Sequence, residues 1–286
     1  MRNMTESEIT AEVLKRYEGT TNPRIKQLMT NLISHLHAFV REVELTEDEW
    51  FAAIQFLTDT GKMCSDTRQE YILLSDTLGV SMLVDLINHR KPEGATESTV
   101  FGPFYMAGAP EMEYGGNIAQ QDKGPACFIS GRVTSLKGTP IKGAVLDVWQ
   151  TSTNGFYSSQ DSNQPKFNMR GKFRTDAQGR YLIQTARSVS YPIPVDGPVG
   201  KTLQLTARHP NRPAHVHFIV SADGFEPVTT HLFDDADPYI DSDAVFGVKS
   251  SLLCQFVRHD SQEEAVQRNV SAPFYTVEYD FALVPR

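Results

Sequence analysis

RPAHVHFIV, at residues 212–220, is the most informative stretch of this sequence for its fold. A β-strand has a side-chain period of two, so His215 and His217 lie on one face and apolar residues lie on the other. Short alternating or apolar runs elsewhere, separated by turn signals such as KGTP and DAQG, have the same character. They are FISGRVTS (128–135), GAVLDVWQTS (143–152), GRYLIQTA (179–186) and VTTHLF (228–233). This spacing predicts an antiparallel β-sandwich.

The chain upstream has a helical period instead. From Ile9 to about His89, apolar residues recur at helical spacing, which predicts amphipathic helices with one buried face. The clearest run contains Ile25, Leu28, Met29, Leu32, Ile33 and Leu36. Thr46 followed by Glu49 predicts a capping box at the start of another helix. This half has no cluster of ligand-type residues, so we interpret it as a helical packing or dimerisation module.

The two periods divide the chain into three regions and give an α+β fold class. A helical N-terminal domain is predicted over 1–95, where it would serve dimerisation. Residues 96–125, rich in Gly and Pro with neither period, form a connecting arm. The β-sandwich domain is predicted over 126–286.

The length, charge and cysteine content of the chain limit the kinds of molecule that it is expected to bind. The 286 residues contain 35 acidic and 27 basic side chains, and a net charge of -8 argues against a nucleic-acid-binding surface. The first residues lack the features of a secretory signal, and no apolar run approaches the roughly 20 residues of a membrane span. Three well-separated cysteines form no CxxC pair and favour reduced thiols. We therefore expect a cytoplasmic protein with a small-molecule or protein partner.

The histidine pair has the geometry of metal ligands, but buried histidines also form simple hydrogen bonds, so both interpretations stay open at this point. Arg212 precedes the pair, where it is either a catalytic cation or half of a structural ion pair. Tyr191 lies in a proline-rich loop and Tyr157 follows the run VLDVWQ. Each tyrosine taken alone is as compatible with packing as with metal binding.

Four segments together resemble the intradiol ring-cleavage dioxygenases, the family of catechol, chlorocatechol, protocatechuate and hydroxyquinol dioxygenases. They are GAVLDVWQTSTNGFYS (143–158), NMRGKFRTDAQGRY (168–181), SYPIPVDGPVG (190–200) and HPNRPAHVHFIVSADGF (209–225). The resemblance implies that Tyr157, Tyr191, His215 and His217 ligate a non-haem ferric ion and that Arg212 serves catalysis. It also implies that Tyr191 is the ligand that substrate displaces.

The implied ligand set suits ferric iron. Hard, anionic phenolate oxygens fit zinc or copper poorly compared with Fe(III). A free tyrosine has a pKa near ~10, so ligation at neutral pH requires the charge of the metal to favour the phenolate.

Two features resemble the hydroxyquinol branch more than the catechol branch. His231 stands where catechol-cleaving relatives usually carry glutamine, and LLSDTLGVSMLV (73–84) with STVFGPFY (98–105) resembles the segments that line the family's pocket. The candidate substrate contacts are Leu73, Asp76, Val100, Phe101, Gly102, Pro103, Phe104, Ile193, Pro194, Arg212 and Val245. Asp76 could accept a hydrogen bond from a third ring hydroxyl, or it could be a helix cap. His231 is assigned to catalysis, with a core hydrogen bond as the alternative.

The predicted reaction is therefore O2-dependent cleavage of hydroxyquinol to 3-hydroxy-cis,cis-muconate or maleylacetate. The resemblance implies a homodimer formed through the N-terminal helices and leaves open a lipid at that interface. Catechol or chlorocatechol 1,2-dioxygenase is the nearest alternative. A non-catalytic β-sandwich binding module is a more remote one, because it would need neither the histidine pair nor the two tyrosines.

Overall fold

The computed structural model of the chain describes residues 4–66, 68–119 and 121–286. The helices are α1 (Ile9–Lys15), α2 (Pro23–Glu42), α3 (Glu47–Lys62), α4 (Glu70–Thr77), α5 (Val80–Asn88), α6 (Pro198–Leu205) and α7 (Gln262–Gln267). The strands are β1 (Ala126–Ser135), β2 (Val145–Trp149), β3 (Arg170–Arg174), β4 (Arg180–Ala186), β5 (Tyr191–Pro192), β6 (Asn211–Arg212), β7 (His215–Ser221), β8 (Val228–Asp234), β9 (Leu253–Cys254), β10 (Val257–His259), β11 (Phe274–Glu278) and β12 (Phe281–Leu283). Helices followed by sheets confirm the α+β class.

Two compact units make up the chain, Met1–Thr58 and Asp59–Arg286. The three regions predicted from the sequence, 1–95, 96–125 and 126–286, stay a prediction. Among the residues that the structure describes, no helix is long and apolar enough to cross a membrane.

Local signals explain how the first helices begin. Asn22 caps α2 by accepting hydrogen bonds from the backbone N–H groups of Arg24 and Ile25. The predicted capping box of α3 is confirmed, since Thr46 Oγ1 accepts from the Glu49 N–H and the Glu49 carboxylate accepts from the Thr46 N–H. The predicted buried face of α2 is not found, because Ile33 is its one buried residue, Met29 is partly buried and the rest of the apolar stripe is exposed.

The strands form two five-stranded sheets and a short two-stranded one. One large sheet has the order β10-β11-β1-β12, with β4 also paired to β1, and the other has the order β3-β2-β7-β8-β9. Every strand predicted from alternation is present. The sheets are mixed, however, because β1 is parallel to β11 and β12, and β8 is parallel to β9. These pairings join distant segments, which a local pattern cannot reveal.

The main apolar core contains side chains from both large sheets. Val216, Phe218 and Val220 of β7 are fully buried in it, beside Ile129 of β1 and Leu146 of β2. Because side chains alternate along a strand, the histidines of β7 point away from this core. The site described next therefore lies on the opposite face of β7.

Candidate metal centre and substrate pocket

The central strand β7 carries the histidine pair. It lies between β2 and β8, which puts His217 opposite Trp149 on one side and His231 on the other. Both histidines of the pair are buried, and their Nε2 atoms lie 3.1 Å apart. The indole of Trp149 stacks on His217 with ring centroids 4.6 Å apart and planes 14° apart. This stacking fixes the ring orientation of His217.

Two tyrosines bring their oxygens to the same point. Tyr157 lies in the loop after β2, and Tyr191 is held in β5 by pairing with Arg212 in β6. The Tyr157 Oη atom is 2.8 Å from His217 Nε2 and 3.0 Å from Tyr191 Oη. Both side chains are buried. The four predicted ligands, separated by up to 60 residues in the chain, thus present their donor atoms together.

His215 and His217 are in environments that favour the neutral form of the imidazole ring. His215 Nδ1 lies 2.7 Å from the Pro213 carbonyl, which accepts its proton and leaves the lone pair on Nε2. Burial, assisted by the charge of Arg212, lowers the pKa of His215 to about 3. Burial also lowers the pKa of His217 well below its usual range, and the nearby His231 and His215 add to this effect.

The donor set passes a geometric test for a single metal ion. Ligand atoms bound at roughly 2.0–2.2 Å around one ion are separated by about 3 Å, and that is the spacing of the oxygens and nitrogens here. Burial raises the pKa of Tyr157 well above its usual value, so a metal charge is needed to hold it as a phenolate. The residues present fit ferric iron better than a softer ion.

With His231 included, the site contains a second possible set of metal ligands, made of three histidines. Among the described residues, His215, His217 and His231 form a buried group whose donor atoms lie within 4.8 Å of one another. The ring of His231 stacks on that of His215, with centroids 4.8 Å apart and planes 13° apart. Both ring nitrogens of His231 are buried without a hydrogen-bond partner among the described residues, and its assignment to catalysis stays a prediction.

Arg212 belongs to a buried ion pair whose partner, Asp243, the sequence analysis did not identify. Its guanidinium donates from Nε to Asp243 Oδ1 at 3.1 Å and from Nη2 to Asp243 Oδ2 at 3.2 Å, and its Nη1 lies 3.1 Å from His215 Nε2. Although burial opposes ionisation of the carboxyl, the charge of Arg212 keeps the pKa of Asp243 below its usual value. Asp243 lies in DSDAVFG, a segment with no pattern that marks a functional carboxylate.

A narrow, partly enclosed cavity adjoins the donors. Its lining contains most of the predicted substrate contacts. The lining residues are Leu73, Asp76, Gly102, Pro103, Phe104, Tyr191, Ile193, Arg212, His217 and Val245. The cavity therefore brings α4, the arm and the loop around β5 next to the candidate metal ligands.

Three predicted contacts lie outside that lining. Val100 is buried in an apolar cluster with Leu73 and Ile193, immediately behind the cavity wall. Phe101 is half exposed and packs against Tyr105, with ring centroids 5.1 Å apart. Pro194 is half-buried in the loop after β5. Their assignment as substrate contacts stays a prediction.

Asp76 is the one carboxylate in the cavity wall. It lies in α4 and is 3% exposed. Burial raises its pKa, and the charge of Asp243 adds to this, whereas a hydrogen bond with Ser81 and the charge of Arg212 act in the opposite direction. Its side chain lies at the C-terminal end of α4, so it is not a helix N-cap.

Comparison with known proteins agrees with this architecture. A family model described as Dioxygenase matches residues 100–285, and one described as Catechol dioxygenase N terminus matches residues 22–96. Hydroxyquinol 1,2-dioxygenase from Rhizobium sp. (strain MTP-10005) is 51% identical over 273 residues, which are 95% of this chain and 92% of the relative.

Two solved structures extend the comparison. The crystal structure of hydroxyquinol 1,2-dioxygenase from Pseudomonas putida DLL-E4 superposes with a TM-score of 0.91 at 50% identity, covering 98% of this chain and 99% of that one. The structure of wild-type catechol 1,2-dioxygenase from Acinetobacter radioresistens superposes with a TM-score of 0.88 at 30% identity, covering 100% of this chain and 95% of that one.

A helical N-terminal region followed by a β-sandwich, with matching models over both parts, defines a ring-cleaving dioxygenase. The chain belongs to the intradiol ring-cleavage dioxygenase family, and the prediction of this family and of an enzyme is confirmed.

Proposed function

We propose that this enzyme holds ferric iron through Tyr157, Tyr191, His215 and His217 and cleaves hydroxyquinol with dioxygen. The bond between the two adjacent hydroxyl-bearing carbons breaks, and both atoms of O2 enter the product, 3-hydroxy-cis,cis-muconate, the tautomer of maleylacetate. The observation that carries the proposal is the convergence of two phenol oxygens and two imidazole nitrogens, about 3 Å apart, beside a buried cavity.

When bound, ferric iron would act as a Lewis acid that draws electron density from the diol. The chain supplies the rest. Of the two candidate tyrosine ligands, Tyr191 is the one that lines the cavity, so its phenolate would take up one diol proton when substrate binds. Tyr157 is held more firmly, because Phe104 stacks on its ring with centroids 4.6 Å apart and planes 24° apart.

Arg212 would orient the substrate and stabilise negative charge that develops on it. Its guanidinium lines the cavity, and Asp243 holds two of its nitrogens, so little reorganisation is needed when charge develops. The Nη1 atom next to His215 is the part of the guanidinium that is not held by Asp243.

Asp76 supports hydroxyquinol over catechol. A carboxylate inside a small cavity can accept a hydrogen bond from a third ring hydroxyl, and it would be left unpaired by a ring without one. The similarity to relatives agrees, since this chain is 51% identical to a protein named hydroxyquinol 1,2-dioxygenase and 39% identical to one named catechol 1,2-dioxygenase.

A homodimer formed through the N-terminal helices is part of the proposal. On α2, apolar side chains at helical spacing are each about half exposed, which is unusual for a monomer surface. They are Ile25, Leu28, Leu32, Leu36, Phe39 and Val43. A second copy of this face would cover the stripe. The cytoplasmic location and a lipid at the interface stay predictions from the sequence.

The test is iron analysis and oxygen uptake on the purified protein. We expect about one iron per chain, a visible phenolate-to-iron absorption, and faster oxygen uptake with hydroxyquinol than with catechol or 4-chlorocatechol. A preparation that cannot be loaded with iron would remove the proposed metal centre. Faster turnover of catechol would be compatible with the proposed metal centre but would contradict hydroxyquinol as the substrate.

Two variants assign roles within the site. Tyr191→Phe should weaken the visible absorption and nearly abolish turnover, and full activity in this variant would contradict the proton role of Tyr191. Asp76→Ala should reduce the ratio of hydroxyquinol to catechol turnover at least about tenfold. Asp85→Asn is the matched control, because Asp85 is also a buried carboxylate but binds His89 and Lys249 outside the cavity.

A further inference from the structure

Arg170 is a buried cation that the proposed reaction leaves unexplained. It is the first residue of β3, 2% exposed, and its backbone pairs with Trp149, which stacks on His217. It belongs to NMRGKFRTDAQGRY, one of the four segments that identify the family, but no predicted role uses it. A guanidinium in such a position requires a compensating interaction, because burial of an isolated charge is costly.

The compensation does not come from an ion pair. Its Nε atom donates to Ser158 Oγ at 3.0 Å, while Nη1 and Nη2 have no hydrogen-bond partner among the residues that the structure describes. The carboxylate that acts on it electrostatically is Asp147, which already accepts a hydrogen bond from Tyr105 at 3.0 Å and pairs with Lys172 at 3.5 Å. Arg170 therefore keeps a positive charge that no contacting carboxylate neutralises.

Arg170 lies over the aromatic ring of a candidate metal ligand. The Arg170 Cζ atom lies 5.8 Å from the ring centroid of Tyr157, over the ring. Tyr191 has a different environment, because the cation beside it, Arg212, is paired with Asp243. The ring of Tyr157 thus lies beneath an unneutralised cation, whereas the cation beside Tyr191 belongs to an ion pair.

We propose that Arg170 is a positioning residue that compensates the negative charge of the Tyr157 phenolate and thereby sets the electron-donating strength of this ligand. The proposal rests on the ferric site proposed above. A cation beside a phenolate attracts the electrons of that ring, so transfer of an electron from the ring towards the metal requires more energy. Arg170 accordingly lowers the electron-donating strength of Tyr157.

The experiment replaces the charge and records the visible absorption of the iron-loaded protein. Two neutral variants, Arg170→Gln and Arg170→Met, should each move the phenolate-to-iron band to longer wavelength by roughly 10–30 nm, the shift expected for one charge about 6 Å away in a medium of intermediate dielectric constant. Arg170→Lys keeps the charge and should leave the band in place. Lys172→Gln, which removes a partly exposed cation from the same strand, is the matched control and should also leave it in place.

Several outcomes would overturn the inference. An unshifted band in neutral variants that contain full iron would do so, as would a shift in Arg170→Lys equal to that of the neutral variants. Melting of the iron-free proteins gives a second readout, since Arg170→Met removes an uncompensated buried charge and should not lower the melting temperature. A large decrease there would assign Arg170 to the structure alone. Wild-type protein that binds no iron would instead contradict the proposed function itself, so the two failures are distinguishable.

Discussion

Arg212 and Asp243 form an ion pair in which both side chains are almost completely buried, 4% and 2% exposed. Two nitrogens of the guanidinium contact the two carboxylate oxygens, an arrangement that fixes the plane of the guanidinium. Gly247 makes room for the pair, because a Cβ atom there would lie 3.1 Å from Arg212 Nη2 and 3.2 Å from Asp243 Oδ2. The orientation of the proposed catalytic cation therefore depends on a residue 31 positions away in the chain.

The first prediction concerns this pair. Asp243→Ala should lower the free energy of unfolding by about 3–5 kcal/mol, because Arg212 would remain buried without its partner. The more conservative Asp243→Asn should keep the fold and reduce turnover about 10- to 100-fold, since the guanidinium is no longer held in place. Denaturant unfolding and steady-state oxygen uptake measure the two effects.

An exposed ion pair provides the control. Arg258 and Asp260 contact each other at 2.8 Å, but both side chains are more than half exposed. Asp260→Ala should leave both the free energy of unfolding and the turnover nearly unchanged. If Asp243→Asn were as active as the wild type, Asp243 would not be the residue that positions Arg212.

The second prediction is a pH dependence of stability at Asp76. The raised pKa of this carboxyl means that the folded protein binds its proton more tightly than the unfolded chain does. The contribution of Asp76 to stability is therefore highest below the ordinary carboxyl pKa of 3.8, and it decreases as the pH rises from there through the native pKa. Asp76→Asn removes this penalty, so the variant should become more stable than the wild type as the pH increases across that window.

The contribution of Asp122 to stability should depend on pH in the opposite direction. Burial would raise its pKa, but hydrogen bonds from Ser152 and Thr153 lower it below the ordinary value. Its stabilisation is present above the ordinary carboxyl pKa and is lost as the pH falls through the native pKa, so Asp122→Asn should be destabilised at neutral pH. Thermal melting of both variants from pH 3 to pH 7 separates the two signs. If the melting temperatures of Asp76→Asn and the wild type depended on pH in the same way, the prediction for Asp76 would be wrong.

Local patterns predict much of this fold. Alternation in RPAHVHFIV places the two histidines on one face of β7, and Thr46 with Glu49 marks the start of α3. Helix α6 was missed inside what reads as a proline-rich loop, although Gly197 followed by Pro198 is a helix-start signal. The parallel pairing of β1 with β11 depends on segments almost 150 residues apart, so no local pattern contains it.

The site divides in the same way. The proposed ligands are recognisable because their residue types and their motifs are distinctive. The role of Asp243 and the environment of Arg170 cannot be recognised from the sequence, because an ion pair and an unneutralised charge depend on contacts that form only when the chain folds. The apolar stripe of α2 is also only partly informative. It indicates a face that becomes buried, but it does not indicate which surface covers that face.

The third prediction concerns that stripe. Leu32→Glu introduces a charge in the middle of the exposed apolar face of α2, and it should convert a dimer into monomers because a buried, unpaired carboxylate at the interface is costly. Gln27→Glu adds the same charge at another exposed position of α2 and should remain dimeric. Light scattering with size-exclusion chromatography measures the mass. A wild-type protein that is monomeric at micromolar concentration would exclude the proposed dimer.

The last prediction uses two glycines with nearly the same backbone conformation. Gly102 has φ of 76° and Gly138 has φ of 74°, so alanine at either position should cost about 1–2 kcal/mol from backbone strain alone. Only Gly102 lies against the site, where a Cβ atom would be 3.3 Å from Cε1 of His217, whereas nothing lies within 4 Å at Gly138. Gly102→Ala should therefore displace the His217 ring and lower turnover or iron occupancy at least about tenfold, while Gly138→Ala retains both. Equal activity of the two variants would mean that the ring tolerates the contact, and that the proposed ligand is held less rigidly than its stacking on Trp149 indicates.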